Sequence, residues 1–391
     1  MKNFGTGGDL MKKLGMKLRE IFKKGDMVLL ALCILATVFG IVMIYSITSE
    51  ESAHYLMVQT GAMLAGIILY LALTAFDIDI LAGQRTLLFI FNTLFIGMLL
   101  IWGIEGNTGN KSWLSFSFLP FNIQPAEVCK ITYIIILAKT MSIHQNKISS
   151  PRSVLPLVFN MLFIVGLIIV ISGDTGVALI FIFIFLTMAY VGGVSLWWFL
   201  GGLGILAVTG PYIWEYAFRP DQKERILALF DPSIDPTGLN TMWQTNMNLK
   251  TLRNGGLSGL GLFHGKLSVA GLPAAHTDSI FSAIGEQLGL LGCAFVLLLL
   301  LAIVARIIYV GMKSPDYMNR LICIGIASML LFQIIINVGV CLGLFPVIGL
   351  ALPFISYGGS SILTSFIAMG IVSGIKMRPA RDTSAHYIRP Y

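Results

Sequence analysis

Apolar stretches of about 20 residues, the length that crosses a bilayer core as an α-helix, recur along the whole 391-residue chain. The pattern predicts ten such helices, at 27–47, 56–75, 86–104, 123–143, 155–172, 176–193, 196–216, 283–305, 321–345 and 357–375. Short polar connections join them, with one exception. Residues 217–282 form a 66-residue segment, far longer than the usual connection and therefore expected to be functional. The predicted fold is an all-α membrane protein, one polytopic domain over 1–391 without internal repeat or separate soluble domain.

Composition agrees with that pattern. Apolar residues make up 56% of the chain and charged residues 12%, half the share of a soluble protein, and mean hydropathy is +0.85. Five cysteines lie in apolar runs without ligand spacing, so neither a metal site nor a disulfide framework is expected. The net charge of +7 is a matter of orientation. Seven of the 26 basic residues precede the first span, in 1–26. That flank resembles a signal-peptide n-region, but 27–47 is too long for an h-region and no small-residue cleavage site follows. With both termini inside, the interior segments, including the tail 376–391, hold 17 basic residues and the exterior ones seven, six of them in the exempt long loop. The positive-inside rule is satisfied. No basic patch carries the interleaved aromatics of a nucleic-acid surface.

The long loop has internal structure of its own. "DQKERILALF" (221–230) reads as a helix lying on the membrane surface, "NTMWQTNMNLKTLRN" as a second short helix, and "GGLSGLGLFHG" as a glycine-rich run.

Candidate chemistry gathers at the exterior ends. Asp278, where the loop re-enters the membrane, reads either as a helix cap, a role open also to Thr277, or as a general base whose pKa is raised by desolvation. Glu286, two turns deeper on the same helix, binds a polar substrate or pairs with a neighbouring helix. Gln124, Glu127 and Lys130 cover about a third of one helix circumference, and Glu127 and Lys130 can pair, either fixing helix packing or contacting a mobile neighbour or cavity. Lys111 is the one cation in a short exterior loop and suits an anionic ligand; Trp113 is an interfacial anchor or a ligand contact. Asp174 sits in a break between spans, as a turn former or a site carboxylate. Arg225 lies within the first loop helix. "GLALPFISYGGSSILTS" (349–365) interrupts an apolar region with Pro353, Gly358 and Gly359 and is expected to line a cavity, since irregular backbone at membrane depth must be enclosed. No Walker loop, haem pattern or H-E-x-x-H occurs. These residues alone point to a lipid-facing enzyme or transporter for an amphipathic, anionic substrate.

Seven stretches in order, "KSWL" (111–114), "FNIQPAEVCK" (121–130), "GDTGVAL" (173–179), "RILALFDPSIDPTG" (225–238), "GGLSGLGL" (255–262), "LPAAHTDSIFSAIGEQLGLLG" (272–292) and "FPVIGLALPFISYGGSS" (345–361), resemble the SEDS (shape, elongation, division and sporulation) family of RodA- and FtsW-like proteins. The resemblance implies a ten-helix peptidoglycan glycosyltransferase of the bacterial cytoplasmic membrane, polymerising lipid II on its outer face beside a class B penicillin-binding transpeptidase. It carries the essential aspartate to Asp278, the loop tryptophan to Trp113 and the fourth-helix pair to Glu127 and Lys130. Ser279, Gln287 and "SGDTGVA" depart from the usual family pattern, which leaves the elongation, division or sporulation branch unassigned. On this reading Asp278 accepts a sugar hydroxyl proton. Lys111, Arg225 or a divalent Mg²⁺ or Mn²⁺ ion balances the leaving undecaprenyl diphosphate. The substrate-binding set is Lys111, Trp113, Asp174, Arg225 and Glu286. Two other readings use the same residues: a lipid II flippase, against which the one-sided polar cluster and lack of repeats weigh, and a non-catalytic scaffold for the transpeptidase.

Overall fold

The computed structural model describes residues 19–378, apart from 49–51, 106–109, 118, 217 and 232. Most of the predicted basic flank 1–26 and of the tail 376–391 falls outside these described residues.

All ten predicted segments are helical, and the differences lie at their ends. The helices are α1 (Met27–Ile47), α2 (Ser52–Ala75), α3 (Ile78–Gly83), α4 (Arg85–Gly97), α5 (Leu99–Trp102), α6 (Pro125–Ile143), α7 (Pro151–Ser172), α8 (Thr175–Val191) and α9 (Leu196–Tyr216). The long loop contributes α10 (Pro220–Leu227), α11 (Trp243–Gly255) and α12 (Leu267–Ala270), and α13 (Ile280–Lys313), α14 (Tyr317–Cys341) and α15 (Gly359–Met377) complete the chain. Eight helical stretches among the described residues are long and apolar enough to cross a membrane. α8 is apolar but shorter, and α6 carries Glu127, Lys130 and Lys139 within 19 residues.

The expected span 86–104 stops early. Its last residues form β1 (Gly103–Glu105), paired antiparallel with β2 (Lys111–Leu114), with Ile104 opposite Trp113. The β-branched and aromatic residues flanking this turn favour a strand once the helix has left the apolar run.

Successive spans reverse direction, so the connections collect at two ends. One end holds the hairpin, the long loop and the irregular segment 342–358. The other is fastened by Asp26, fully buried and bound by Arg306 Nε at 2.8 Å and Lys376 Nζ at 3.5 Å. The Asp26 backbone N–H donates to Ser373 Oγ, and its carbonyl oxygen accepts from Tyr70 OH. A buried carboxylate is tolerable only with such partners, and this one ties α1, α2, α13 and α15 together.

The long loop is packed against the bundle. At Gly289 (φ 67°, ψ −165°) α13 is interrupted, and the glycine-rich run lies along the gap. Leu260 and Gly261 N–H donate to the Glu286 and Gln287 carbonyl oxygens, while Leu290 and Leu291 N–H donate to those of Gly256 and Leu257, all at 2.9–3.2 Å. The kink exposes backbone groups and the ribbon satisfies them. A Cβ at Gly289 would collide with Gly259 N and the Leu257 carbonyl oxygen, so the site requires glycine for space as well as for its positive φ.

Candidate active site

The segment 276–278 is pinned through its backbone. The His276 carbonyl oxygen accepts from Tyr357 N–H at 2.8 Å, that of Thr277 from Ser356 Oγ at 2.6 Å, and that of Asp278 from Asn337 Nδ2 at 2.9 Å. Asn337 also donates to the Leu350 carbonyl oxygen at 2.7 Å. On α2, Gln59 bonds the Ser356 carbonyl oxygen and the Gly358 N–H. The irregular stretch expected as cavity wall is thus buried in protein, and its backbone groups are taken up by side chains from α2 and α14, as an interrupted segment at membrane depth requires.

Neither Thr277 nor Asp278 caps the following helix. Ser279 holds the N-cap position of α13 without a side-chain cap bond, because residues 276–278 are drawn off into contacts with α14 and 350–357. The Asp278 carboxyl is left half-buried and, among the described residues, receives no hydrogen bond. Its pKa is pushed up to about 6, first by desolvation and second by the charge of Asp174.

Asp174 lies in the break between α7 and α8. Oδ1 caps α8 by accepting from Val177 N–H at 3.0 Å, and Oδ2 accepts from Ser112 Oγ at 3.2 Å. Ser112 in turn meets Ser172 Oγ at 2.7 Å. Desolvation raises the Asp174 pKa despite these bonds.

Residues 347–349 bring the parts together. Arg225 Nη1 donates to the Val347 carbonyl oxygen at 3.3 Å. Ile348 packs on Gly176, two residues past Asp174, and a Cβ at Gly349 would lie 3.6 Å from Asp278 Oδ2. Helix α10 also places Gln222 Nε2 at 3.5 Å from Thr175 Oγ1, and Arg219 beside Gly173. Arg225 thus approaches this region through the Val347 carbonyl, and Arg219, paired with Asp221 at 3.2 Å, through Gly173. Two residues before Asp278, His276 joins an aromatic cluster: the Tyr55 ring centroid is 4.8 Å from those of His276 and Tyr357.

The remaining predicted residues divide. Lys111 is exposed, 3.8 Å from Glu105 across the hairpin, and Trp113 is half-buried in the same hairpin; both stand one strand position from Ser112. Glu127 and Lys130 form a buried pair at 2.7 Å, and Thr364 Oγ1 donates to Glu127 at 3.2 Å, locking α6 to α15. Glu286 is not in the Asp278 cluster. Fully buried, it accepts from Leu267 and Ser268 N–H at 3.0 and 2.8 Å and from Asn254 at 3.4 Å, holding the loop rather than facing a site. Sequence reasoning passed over Ser112, Asn337, Ser356 and Arg219. Asn337 alone carried a signal, as a buried amide in an apolar helix. No group of three or more His, Cys, Asp or Glu side chains suited to a metal occurs among the described residues, and the described cysteines are free and buried.

A family model described as Cell cycle protein, for FtsW, RodA and SpoVE, matches residues 26–380. The chain is 33% identical to the probable peptidoglycan glycosyltransferase FtsW of Trichlorobacter lovleyi, over 92% of this chain and 96% of that protein. It is 29% identical to stage V sporulation protein E of Bacillus subtilis, over 90% and 96%. In structure it resembles a chain of a peptidoglycan synthase complex that coordinates polymerization and crosslinking (TM-score 0.77, 29% identity, 90% and 97% covered). It also resembles the rod shape determining protein RodA of Thermus thermophilus (TM-score 0.68, 26% identity, 92% and 98% covered). The chain belongs to the FtsW/RodA/SpoVE family of cell cycle proteins, as a multi-pass protein of the bacterial cytoplasmic membrane.

Proposed function

We propose that this chain is a peptidoglycan glycosyltransferase that polymerises lipid II at the outer face of the membrane, with Asp278 as general base. The observation that carries the reading is the Asp278 carboxyl: desolvated, without a hydrogen-bond donor among the described residues, fixed by its backbone, and under the charge of Asp174. A carboxylate with a pKa near 6 is still ionised at neutral pH and is a stronger base than an ordinary one. It takes the proton from the sugar 4-hydroxyl as that oxygen attacks the anomeric carbon of a second lipid II, whose bond to the diphosphate breaks.

The leaving diphosphate needs positive charge in a site poor in water. Arg225 on α10 and Arg219 at its N-cap supply it, with Lys111 at the rim of the hairpin. A divalent Mg²⁺ or Mn²⁺ ion, held by Asp174 together with diphosphate oxygens, would neutralise the leaving group and leave Asp278 free as the base. The aromatic cluster of Tyr55, His276 and Tyr357 offers a face for the sugar, and the apolar helices accommodate the polyprenyl tail. Glu286 acts here as the anchor of the loop that roofs the site.

The topology follows the same reading. The eight long apolar helices, with α6 and α8, make ten spans with both termini cytoplasmic and 217–282 outside. α6 can cross because its two buried charges neutralise each other. A class B penicillin-binding transpeptidase is the proposed partner, supported by the likeness to a chain of a peptidoglycan synthase complex.

The test is polymerisation of purified lipid II by wild type and Asp278→Asn, with and without a cognate transpeptidase. Wild type is expected to yield glycan strands and Asp278→Asn none, while the variant melts no lower than wild type because it loses only an unfavourable charge. Strands from both would overturn the role of Asp278. Strands from neither, with lipid II crossing the bilayer of proteoliposomes, would favour the flippase; failure of both activities would favour the scaffold.

A further inference from the structure

We propose that the cleft between α4, α6 and α7, at the end of the bundle opposite Asp278, binds an anionic phospholipid. The cleft encloses about 370 Å³, within the range of small-molecule sites. Its floor is apolar, made of the buried Ile136, Leu137 and Leu157, and its rim carries Arg85, His144 and Asn160. Pro156 lines the opening from inside α7, where its ring and missing N–H keep the first turns from packing tightly against α6.

Three observations select the occupant. First, Arg85 is exposed and makes no ion pair or side-chain hydrogen bond among the described residues, and no carboxylate lines the cleft. Lys147 and Arg152, also at this end, are likewise without an ion pair among the described residues. Second, His144 Nδ1 lies 2.9 Å from the Thr140 carbonyl oxygen, a bond that fixes the ring at the rim with Nε2 as its second polar atom. Third, the mouth is flanked by apolar side chains that are exposed among the described residues: Leu87 and Ile90 on α4, Leu155 and Phe159 on α7. On spans that cross a membrane, such faces meet acyl chains. A ligand entering from there has a tail for the floor and a charge for Arg85, and basic pockets between spans are suited to anionic head groups. A free phosphate ion would satisfy Arg85 but leave the floor bare. The inference stands on the cleft alone, independent of the reaction assigned to Asp278.

The experiment uses the full-length protein reconstituted in nanodiscs of phosphatidylcholine alone or with phosphatidylglycerol, then released into detergent, with retained lipid counted by mass spectrometry. Wild type is expected to retain phosphatidylglycerol over phosphatidylcholine, and Arg85→Gln to lose about fivefold of that retention, the worth of one basic residue near a lipid head group. Asn160→Trp, which keeps Arg85 but fills the mouth, is expected to lose it as well, so that a folding defect in one variant leaves the other informative. Equal retention of both lipids by wild type, wild-type retention by both variants, or displacement of the lipid by inorganic phosphate would overturn the proposal.

Discussion

The Asp278 carboxyl receives no hydrogen bond among the described residues, although the three carbonyl oxygens of 276–278 each receive at least one. Glu286, eight residues on, is the opposite case, with two backbone N–H groups and Asn254 around its carboxylate. One carboxylate is left without a donor among the described residues and the other is held by three. Glu286→Ala would strand the half-buried Leu267 and buried Ser268 N–H groups and cost about 3 kcal/mol of stability. The expected readout is a lowered melting temperature with faster amide exchange in 257–272. A large loss of polymerisation without either change would instead put Glu286 against substrate. The sequence marked both carboxylates as unusual for their depth, yet it could not separate them. Their difference is set by Asn337, Ser356 and Tyr357, some 60 to 80 residues away, and by a loop whose glycines reveal little about what they pack against.

At the scale of elements, α6 poses the sharpest question, since it holds two buried charges inside a helix bundle. Lys130→Met would leave Glu127 buried without its cation and cost about 3–5 kcal/mol. Replacing both, as Glu127→Met with Lys130→Met, is expected to restore most of that loss, because no unpaired charge remains. A double variant as unstable as the single one would mean that Thr364 and the pair do more than neutralise each other. The i, i+3 spacing made this pair legible in the sequence, as the hydrophobic runs did for the spans. The β1–β2 hairpin was not legible: its strands are three and four residues long, too short for an alternation signal. The seat of α10 on the α7–α8 turn was equally hidden. The amphipathic pattern of 221–230 fits a membrane surface and a protein surface alike, and Phe230 does remain exposed.

On the scale of the whole molecule, the site exists only because the bundle closes. Asp174 caps α8 and Asp278 precedes α13, over 100 residues later, and residues 347–349 bridge them with Arg225 alongside. The opposite end is held shut by Asp26, Arg306 and Lys376, which fixes how far the spans can part. Their like charge couples Asp174 and Asp278, and desolvation acts on both, so the acidity of Asp278 reports the assembled site. Because its pKa is raised, the carboxylate that accepts the proton is lost as pH falls through about 6. The most direct test is the pH dependence of the polymerisation rate for wild type and Asp174→Asn, an exchange that keeps the helix cap and removes the neighbouring charge. An acid limb is expected near pH 6 in wild type, with a shift of that limb to lower pH in Asp174→Asn. A limb that stays in place when Asp174 is neutralised, or a wild-type rate indifferent to pH across this range, would contradict the assignment of Asp278 as the base.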